Sequence, residues 1–355
     1  MSTDISRPCG VFNRSYNEEF IIIRTKTQWF FLLASLLFIF TLPLYANGYL
    51  LNIMNYIGIL IISLLGLHIL MGCAGQISMG QSAFMAVGAY VTGILMKNAN
   101  WSFFAAVPIG AIICGILGII VGLPSLRVKG FYLVMATLAA QVIIPWVLSH
   151  AWPDVLGGAL GINVPPIQIG DYKFTEQGDI FYVVWIIVLL ATFFAVNLMR
   201  TRTGRAFIAI RDNDLAAEIT GISLMRYKLL AFLICSIYAG IAGGLWSIWT
   251  RFLTADQFTL HLSVLFLGML IVGGVGSCAG VFMGVFFLVG IDEITKNFAQ
   301  PIGEFFGLPS GTLAPALAPI VYGLIILLFL IFEPRGLAHR WQLLKMSYRL
   351  NPFSY

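Results

Sequence analysis

Long apolar blocks separated by short polar segments dominate the pattern along this chain. Trp29–Tyr45 and Ile180–Leu198 are typical blocks, and neither contains a charged residue. A helix of about 20 mostly apolar residues spans the roughly 30 Å hydrocarbon core of a bilayer. The pattern therefore predicts an all-α integral membrane protein with many spans.

The blocks predict a polytopic bundle of about ten transmembrane helices. Their approximate limits are residues 28–46, 49–70, 77–96, 102–123, 130–149, 180–199, 228–250, 260–275, 280–297 and 312–332. The third and eighth are short or rich in glycine and serine, so each is either a continuous helix or a broken, re-entrant one. The first block is longer than the apolar core of a typical signal peptide, and we expect it to be retained.

Basic residues fall mainly on one side of the predicted bundle. Sixteen of the 20 lysines and arginines lie in residues 1–27, in the loop after span four, in the stretch 200–228 after span six and in the tail 333–355. Cytoplasmic loops of membrane proteins carry such an excess. We therefore predict that both termini are cytoplasmic and that residues 28–332 form one transmembrane domain.

Composition agrees with lipid rather than nucleic acid as the main surroundings. The chain has 355 residues, of which 59% are hydrophobic and 10% charged, against about a quarter charged in soluble domains. The formal net charge of +5 comes from short loops, which argues against a nucleic-acid surface.

A glycine-rich polar segment follows the second predicted span. Its glycines allow helix backbones to approach closely, and its glutamines and serines bring hydrogen-bonding groups to membrane depth, where an unpaired group costs several kcal/mol. Two interpretations stay open, namely helix packing and the lining of a polar translocation pathway. The pathway candidates are Gly75, Gln76, Ser78, Gly80, Gln81 and Ser82.

The cytoplasmic stretch 203–222 is too polar to span a membrane and too apolar for an idle loop. Asp212 or Asn213 can cap a short helix, the residues Ala216, Ala217 and Glu218 favour one, and Gly221 can end it. An exposed amphipathic helix needs a partner. That partner is either a protein or the lipid surface, which nearby arginines would favour.

Five stretches closely resemble branched-chain amino acid ABC-transporter permeases of the LivM type. They are GCAGQISMGQSAFMAVGAY at 72–90, LRVKGFYL at 126–133, GRAFIAIRDNDLAAEITGISLMRYKLLAF at 204–232, GGVGS at 273–277 with Gly280 and Gly284, and EPRGL at 333–337. The resemblance covers roughly residues 50–340. It departs from the family at Asp214, where glutamate is usual, and at residues 156–162, where a Thr-Gly-Gly-type sequence is common.

The resemblance implies one permease subunit of an importer in the bacterial inner membrane. Its implied partners are a second permease subunit, usually of the LivH type, two cytoplasmic ATP-binding-cassette ATPases and an extracytoplasmic solute-binding protein. A helix over Arg211–Gly221 would sit in an ATPase groove, with Arg211, Asp214, Ala217, Glu218 and Gly221 as contact residues. The solute is a branched-chain amino acid or a related small polar molecule, since relatives also carry urea, short amides and aromatic acids.

The main alternative is an ion-coupled secondary transporter, which typically needs an intramembrane ionisable residue. His68 is the deeply placed candidate, whereas Asp292 and Glu293 fall near the outer end of span nine. A passive channel would show a filter pattern or a charged ring, and neither is evident. The sequence contains no phosphate-binding Gly-x-x-x-x-Gly-Lys-[Ser/Thr] motif. We therefore expect a transport subunit that is not an enzyme and that holds no cofactor or metal.

The cysteines are scattered along the chain without a Cys-x-x-Cys spacing or a neighbouring histidine. We interpret them as small apolar packing residues rather than as metal ligands or disulfides. They are Cys9, Cys73, Cys114, Cys235 and Cys278.

Overall fold

The structure is a computed structural model that describes residues 26–126, 130–169, 172–305, 313–333 and 335–350. Helices account for nearly all of it. The helices up to His150 are α1 Lys26–Tyr45, α2 Gly48–Leu67, α3 Gln81–Asn98, α4 Phe103–Gly122 and α5 Phe131–His150. The helices that follow are α6 Pro153–Leu156, α7 Gln177–Arg200, α8 Arg202–Asp212, α9 Asp214–Ile219, α10 Leu224–Thr250, α11 Leu260–Gly273, α12 Cys278–Phe305, α13 Leu313–Phe332 and α14 Gly336–Leu350.

Two short β-ladders lie at one end of the helix bundle. Strand β1 (Ile162–Asn163) pairs antiparallel with β4 (Phe252–Leu253), so that Ile162 is opposite Leu253. Strands β2 (Ile167–Ile169) and β3 (Tyr172–Phe174) form a hairpin. The loop before α7 is thereby tied to the end of α10, an arrangement that the sequence pattern did not predict.

Helix α10 lies at the centre of the bundle and packs against α2, α3 and α4. Helix α2 is the most enclosed, with 89% of its apolar window buried, whereas only 17% of the corresponding window in α5 is buried. A buried helix can be apolar on all sides, and an exposed apolar helix face in a membrane protein contacts lipid or another subunit. The core therefore lies along α2 and α10.

Glycines set the close approach between α3 and α10. A Cβ on Gly88 would lie 2.5 Å from the Cα of Gly240, and a Cβ on Gly243 would lie 2.0 Å from the carbonyl oxygen of Met85. Small residues at these positions let the two backbones touch. This crossing holds the segment that follows the glycine-rich loop against the central helix.

The all-helical, polytopic class is confirmed, but the described residues hold fewer helices of spanning length than the ten spans predicted. Seven helices in the described part of the chain are long and apolar enough to cross a membrane. The number is eight if α13 and α14, which meet at 47°, form one bent span. Helix α1 has a shorter apolar stretch, Trp29–Tyr45, and α3 lacks the required apolar window. The cytoplasmic placement of the termini stays a prediction.

The third predicted span was wrong at its start, because residues 77–80 are not helical and α3 begins at Gln81. The eighth predicted span is one continuous helix, α11, whose start is capped by the Thr259 hydroxyl accepting from the Leu262 amide at 3.4 Å. Glycine and serine content was similar in the two spans. The difference arises because the residues before α3 turn through a left-handed glycine, Gly75.

Candidate translocation and coupling site

The glycine-rich loop begins where α2 changes its geometry. Residues His68–Cys73 continue α2 as a π-helical turn, and residues 74–80 then leave the helix. Single π turns inside α-helices are frequent at functional sites. Gly75 has φ +68°, and a Cβ there would lie 2.8 Å from the Cγ of Arg211. The loop therefore needs glycine at 75 for both its backbone conformation and its contact with α8.

Gln76 is the predicted pathway residue with unmet hydrogen-bonding capacity. It is 5% exposed, and neither its amide nitrogen nor its amide oxygen has a partner in the part of the chain that the structure describes. The buried Ser125 hydroxyl likewise has no hydrogen-bond partner among the described residues. Both residues line a cavity of about 110 Å³ together with Arg211, Asp214 and Lys228. A polar cavity thus lies beside the contact between the glycine-rich loop and the predicted coupling segment.

Gln81, in contrast, is fully engaged in packing. Its amide nitrogen donates to the carbonyl oxygen of Ser63 at 2.7 Å and to the Ser63 hydroxyl at 3.1 Å. Its amide oxygen accepts from the Cys235 thiol at 3.2 Å. Gln81 therefore joins α3 to α2 and α10, and these contacts are those of a helix-packing residue.

These different surroundings predict different consequences for Gln76→Ala and Gln81→Ala. Loss of Gln76 removes an unpaired amide from a polar cavity, so we expect altered solute uptake with normal assembly. Loss of Gln81 leaves buried partners unsatisfied, which costs about 1–3 kcal/mol, so we expect a lower melting temperature. Uptake and thermal unfolding of both purified variants provide the measurement. Lower stability for Gln76→Ala, with unchanged uptake per folded molecule, would restore the packing interpretation for that residue.

Ser82 belongs to a buried network that the sequence did not reveal. The Gln141 amide nitrogen donates to the Ser82 hydroxyl at 2.7 Å and to the carbonyl oxygen of Phe258 at 3.0 Å. The Ser263 hydroxyl donates to the Gln141 amide oxygen at 2.9 Å. Ser78 makes a local contact instead, accepting from the Gly80 amide at 3.3 Å. The network joins the start of α3 to α5 and α11.

Gln141 and Ser263 were missed because each is a lone polar residue within an apolar block. A single polar residue in an apolar block carries little information. Three polar residues from different helices that form hydrogen bonds with one another indicate a specific junction between those helices. A glutamine at the centre of a predicted span was the available signal. The network fixes the position at which the unwound loop returns to helix.

Arg211 connects the coupling segment to the glycine-rich loop. Its Nη1 atom donates to the carbonyl oxygen of Gly72 at 2.9 Å, and its Nε and Nη2 atoms donate to Asp212 at 3.1 and 3.0 Å. The Gly72 carbonyl lies in the π turn and lacks its helical partner, so the guanidinium satisfies it. A movement of α8 would therefore pull on the end of α2.

A second connection joins α9 to the start of α10. The Lys228 ammonium lies 3.8 Å from the Asp214 carboxylate, and Lys228 is only 7% exposed. A charge that is nearly buried needs a partner of opposite sign. Lys228 was placed in a polar loop by its sequence position, and only its burial reveals its part in this junction.

The predicted helix over Arg211–Gly221 was wrong in its limits. Arg211 belongs to the end of α8, and the chain bends at Asn213, whose side chain accepts from the Ala216 amide at 3.1 Å and caps α9. Gly221 follows α9 with φ +90°. The predicted cap and the terminating glycine are therefore confirmed, but two helices replace one.

Helix α9 presents an apolar pair outward. Leu215 is 65% exposed and Ile219 is 87% exposed, while Ala217 is buried on the opposite side at 3%. Glu218 lies among the exposed residues. Of the predicted contact residues, Arg211 and Asp214 thus face the bundle at least in part, and Ala217 faces it fully.

The fold places His68 beside a cysteine, contrary to the expectation of scattered residues. The Cys73 sulfur lies 3.7 Å from the His68 Nε2 atom, and both residues are buried. Cys114 and Cys235 donate to oxygen atoms of Phe84 and Gln81. The four cysteines in the described residues are free thiols, and Cys9 lies outside those residues.

Comparison with known proteins places this geometry in a family context. A profile of the family described as "Branched-chain amino acid transport system / permease component" matches residues 49–330. The permease protein LivM of the high-affinity branched-chain amino acid transport system of Escherichia coli is 27% identical over 88% of this chain and 75% of its own length. No solved structure matches the chain.

Further relatives show that similar chains serve different solutes. A probable branched-chain amino acid transport permease protein LivM of Methanocaldococcus jannaschii is 27% identical over 80% of this chain and 92% of its own length. The ribose import permease protein RbsC of Escherichia coli is 30% identical, over 44% of this chain and 47% of its own length.

Proposed function

The chain belongs to the family of branched-chain amino acid transport permeases, and from this premise we propose how it works as the permease subunit of an ATP-binding-cassette importer. It is a multi-pass membrane protein of a bacterial inner membrane and does not hydrolyse ATP itself. Two cytoplasmic ATPases, a second permease subunit of the LivH type and an extracytoplasmic solute-binding protein complete the transporter. The solute is a branched-chain amino acid or a related small polar molecule.

Helix α9 carries this proposal, because its outward face fits a protein groove. Leu215 and Ile219 are largely exposed one helical turn apart, and Glu218 is exposed beside them. A helix of only six residues has too little apolar surface to bind lipid strongly. A groove on a cytoplasmic ATPase covers the apolar pair and contacts Glu218.

Movement at α9 reaches the membrane through the two connections described above. Arg211 holds the Gly72 carbonyl at the end of α2, and Asp214 pairs with Lys228 at the start of α10. Since α2 and α10 form the core of the bundle, a displacement of α8 and α9 shifts the central helices. The contact roles of Arg211 and Asp214 are therefore internal, whereas Glu218 and Gly221 serve the ATPase-facing side.

The translocation pathway runs past the glycine-rich loop. Gly75, Gln76 and Ser78 lie in its non-helical part, where irregular backbone at membrane depth is tolerated beside protein or a wet cavity. Gly80, Gln81 and Ser82 anchor the end of this loop, where α3 begins, against α2, α5, α10 and α11. The loop can change shape with little loss of helical hydrogen bonding, which suits a gate near the cytoplasmic side.

Variants of the docking turn test the coupling part of the proposal. Glu218→Lys reverses the charge facing the ATPase, and Gly221→Pro forces φ near −65° where the chain requires +90°. We expect ATP-dependent uptake to fall at least about tenfold, since each change disrupts a docked contact, with unchanged amounts in the membrane. Ser223→Ala, an exposed change next to the same turn, serves as the control and should retain uptake.

Reconstitution into vesicles decides between this importer and an ion-coupled transporter. We expect labelled L-leucine uptake only with ATP, partner ATPases and the binding protein present. Uptake by the chain alone, driven by a proton or sodium gradient, would instead establish the secondary transporter. If Glu218→Lys and Gly221→Pro both show wild-type ATP-dependent uptake, the role of α9 is contradicted, whereas the importer function is not.

A further inference from the structure

A cavity of about 240 Å³ lies beside α12 at the start of α2, at the end of that helix opposite the glycine-rich loop. Its wall is formed by the first turns of α2, the last turn of α10 and the middle of α12. The distribution of lysine and arginine predicts that this end of the bundle faces the outside of the cell. In that orientation the cavity lies on the side from which an imported solute enters the membrane domain.

Both signs of charge meet in this cavity, and both come from one face of α12. The Lys296 ammonium lies 2.7 Å from the Asp292 carboxylate and 3.9 Å from the Glu293 carboxylate. The Tyr49 hydroxyl from α2 donates to Glu293. Two carboxylates facing a single ammonium leave one negative charge in excess, and the half-exposed Lys296 side chain can turn towards a bound anion.

An aromatic wall stands opposite the charges. The Tyr56 and Trp249 rings are stacked with their centres 5.4 Å apart, and the Trp249 indole donates to the Asn52 amide oxygen at 2.7 Å. This hydrogen bond fixes the indole, which lines the cavity together with Tyr56. Ile53 and Val289 also line the cavity, so that apolar and ionic side chains meet in one lining.

We propose that this cavity is an entry site for a zwitterionic α-amino acid, an assignment that rests on the importer function above. The ammonium group of the solute binds between Asp292 and Glu293, displacing Lys296 from at least one of them. The released Lys296 ammonium pairs with the carboxylate of the solute. The apolar side chain of the solute lies against Tyr56 and Trp249.

The same arrangement disfavours neutral solutes. Urea, amides and sugars would separate Lys296 from its carboxylates without supplying a charge to either, and unpaired charges in a partly buried site are costly. An amino acid replaces each disrupted ion pair with a new one. The cavity therefore selects the class of solute independently of the binding protein, which distinguishes this chain from a permease for ribose or urea.

Binding to the full chain in lipid nanodiscs tests the site directly. Labelled L-leucine is measured by a scintillation proximity assay, in competition with 4-methylpentanoate, which lacks the ammonium, and with L-leucinamide, which lacks the carboxylate. We expect saturable binding, with both analogues at least about tenfold weaker than L-leucine because each loses a charge-assisted contact. Absence of L-leucine binding, or equal competition by urea or ribose, would overturn the assignment.

Matched variants separate the site from general stability. Lys296→Met and Glu293→Gln should weaken L-leucine binding at least about tenfold. The controls Lys97→Met and Glu176→Gln, which alter exposed charges elsewhere on helix ends, should bind as the wild type does. Melting temperatures identify any variant that is misfolded. If one of them is misfolded, Trp249→Phe takes its place, because it keeps an aromatic ring but loses the hydrogen bond to Asn52. We expect this variant to bind L-leucine more weakly, and wild-type affinity in Trp249→Phe would count against the site.

Uptake by the whole reconstituted transporter keeps the two proposals distinguishable. We expect Lys296→Met to raise the KM for L-leucine while ATP dependence is retained. Unchanged KM and kcat in the Lys296→Met and Glu293→Gln transporters would reject the entry site and leave the importer function intact. Failure of the wild-type complex to import any solute with ATP would reject the proposed function, whatever the binding assay shows.

Discussion

Gly243→Leu is expected to prevent the membrane domain from assembling. A Cβ at Gly243 would lie 2.0 Å from the Met85 carbonyl oxygen and 2.7 Å from the Ala89 amide nitrogen. Both atoms belong to the backbone of α3, which cannot move aside as a flexible side chain can. Overpacking of a tight core costs about 1–3 kcal/mol or more, and here α3 and α10 would have to separate along their crossing.

Size-exclusion profiles and thermal unfolding of detergent-solubilised protein measure this effect. We expect Gly243→Leu to give aggregated or poorly expressed protein. Gly290→Leu is the matched control, because the position lies in α12 and a Cβ there meets no atom within 4 Å. A Gly243→Leu protein that elutes and melts as the wild type does would show that α3 and α10 do not cross as closely as described.

Arg211→Met is expected to uncouple ATP hydrolysis from transport. The variant keeps much of the apolar stem but loses the bond from Nη1 to the Gly72 carbonyl oxygen, which is 2.9 Å long. A hydrogen bond from a charged group contributes about 1.5–3 kcal/mol, so the connection between α8 and α2 should loosen markedly. We expect uptake to fall about tenfold or more, with ATPase activity of the complex largely retained.

The comparison of uptake with ATPase activity in proteoliposomes decides the role of Arg211. Arg226→Met removes an exposed arginine that follows α9 in the chain and should leave both activities near wild type. Normal uptake by Arg211→Met would contradict a transmitting role. Loss of both uptake and ATPase binding would instead assign Arg211 to the docking surface, as the original contact prediction had it.

The positions of the helices followed closely from hydrophobic patterning, because a lipid-exposed helix must be apolar over most of its length. The start of α3 did not follow, since residues 77–80 are as compatible with a helix as with an extended loop. Only the tertiary structure shows that polar residues of the same type have different surroundings. Gln76 faces a cavity, while Gln81 is held by Ser63 and Cys235.

The coupling segment shows the same division between local and distant information. A cap at Asp212 or Asn213 and Gly221 as a terminator were predicted, because capping depends on residues only a few positions apart. The bond between Arg211 and Gly72 joins residues 139 positions apart, and no local pattern reports such a contact. For Asp292 and Glu293, likewise, the sequence predicted only that the two carboxylates lie where water can reach them, and it did not predict the cavity beside them.

The sequence by itself determined that this chain is a helical, multi-pass permease, because hydropathy, loop charge and the family motifs are all properties of contiguous residues. The tertiary structure alone decided which polar groups satisfy one another and which face a cavity. Those outcomes depend on distances between helices far apart in the chain. The physical reason is that burial and pairing, rather than residue type, determine whether a polar side chain stabilises a junction or remains available to a solute.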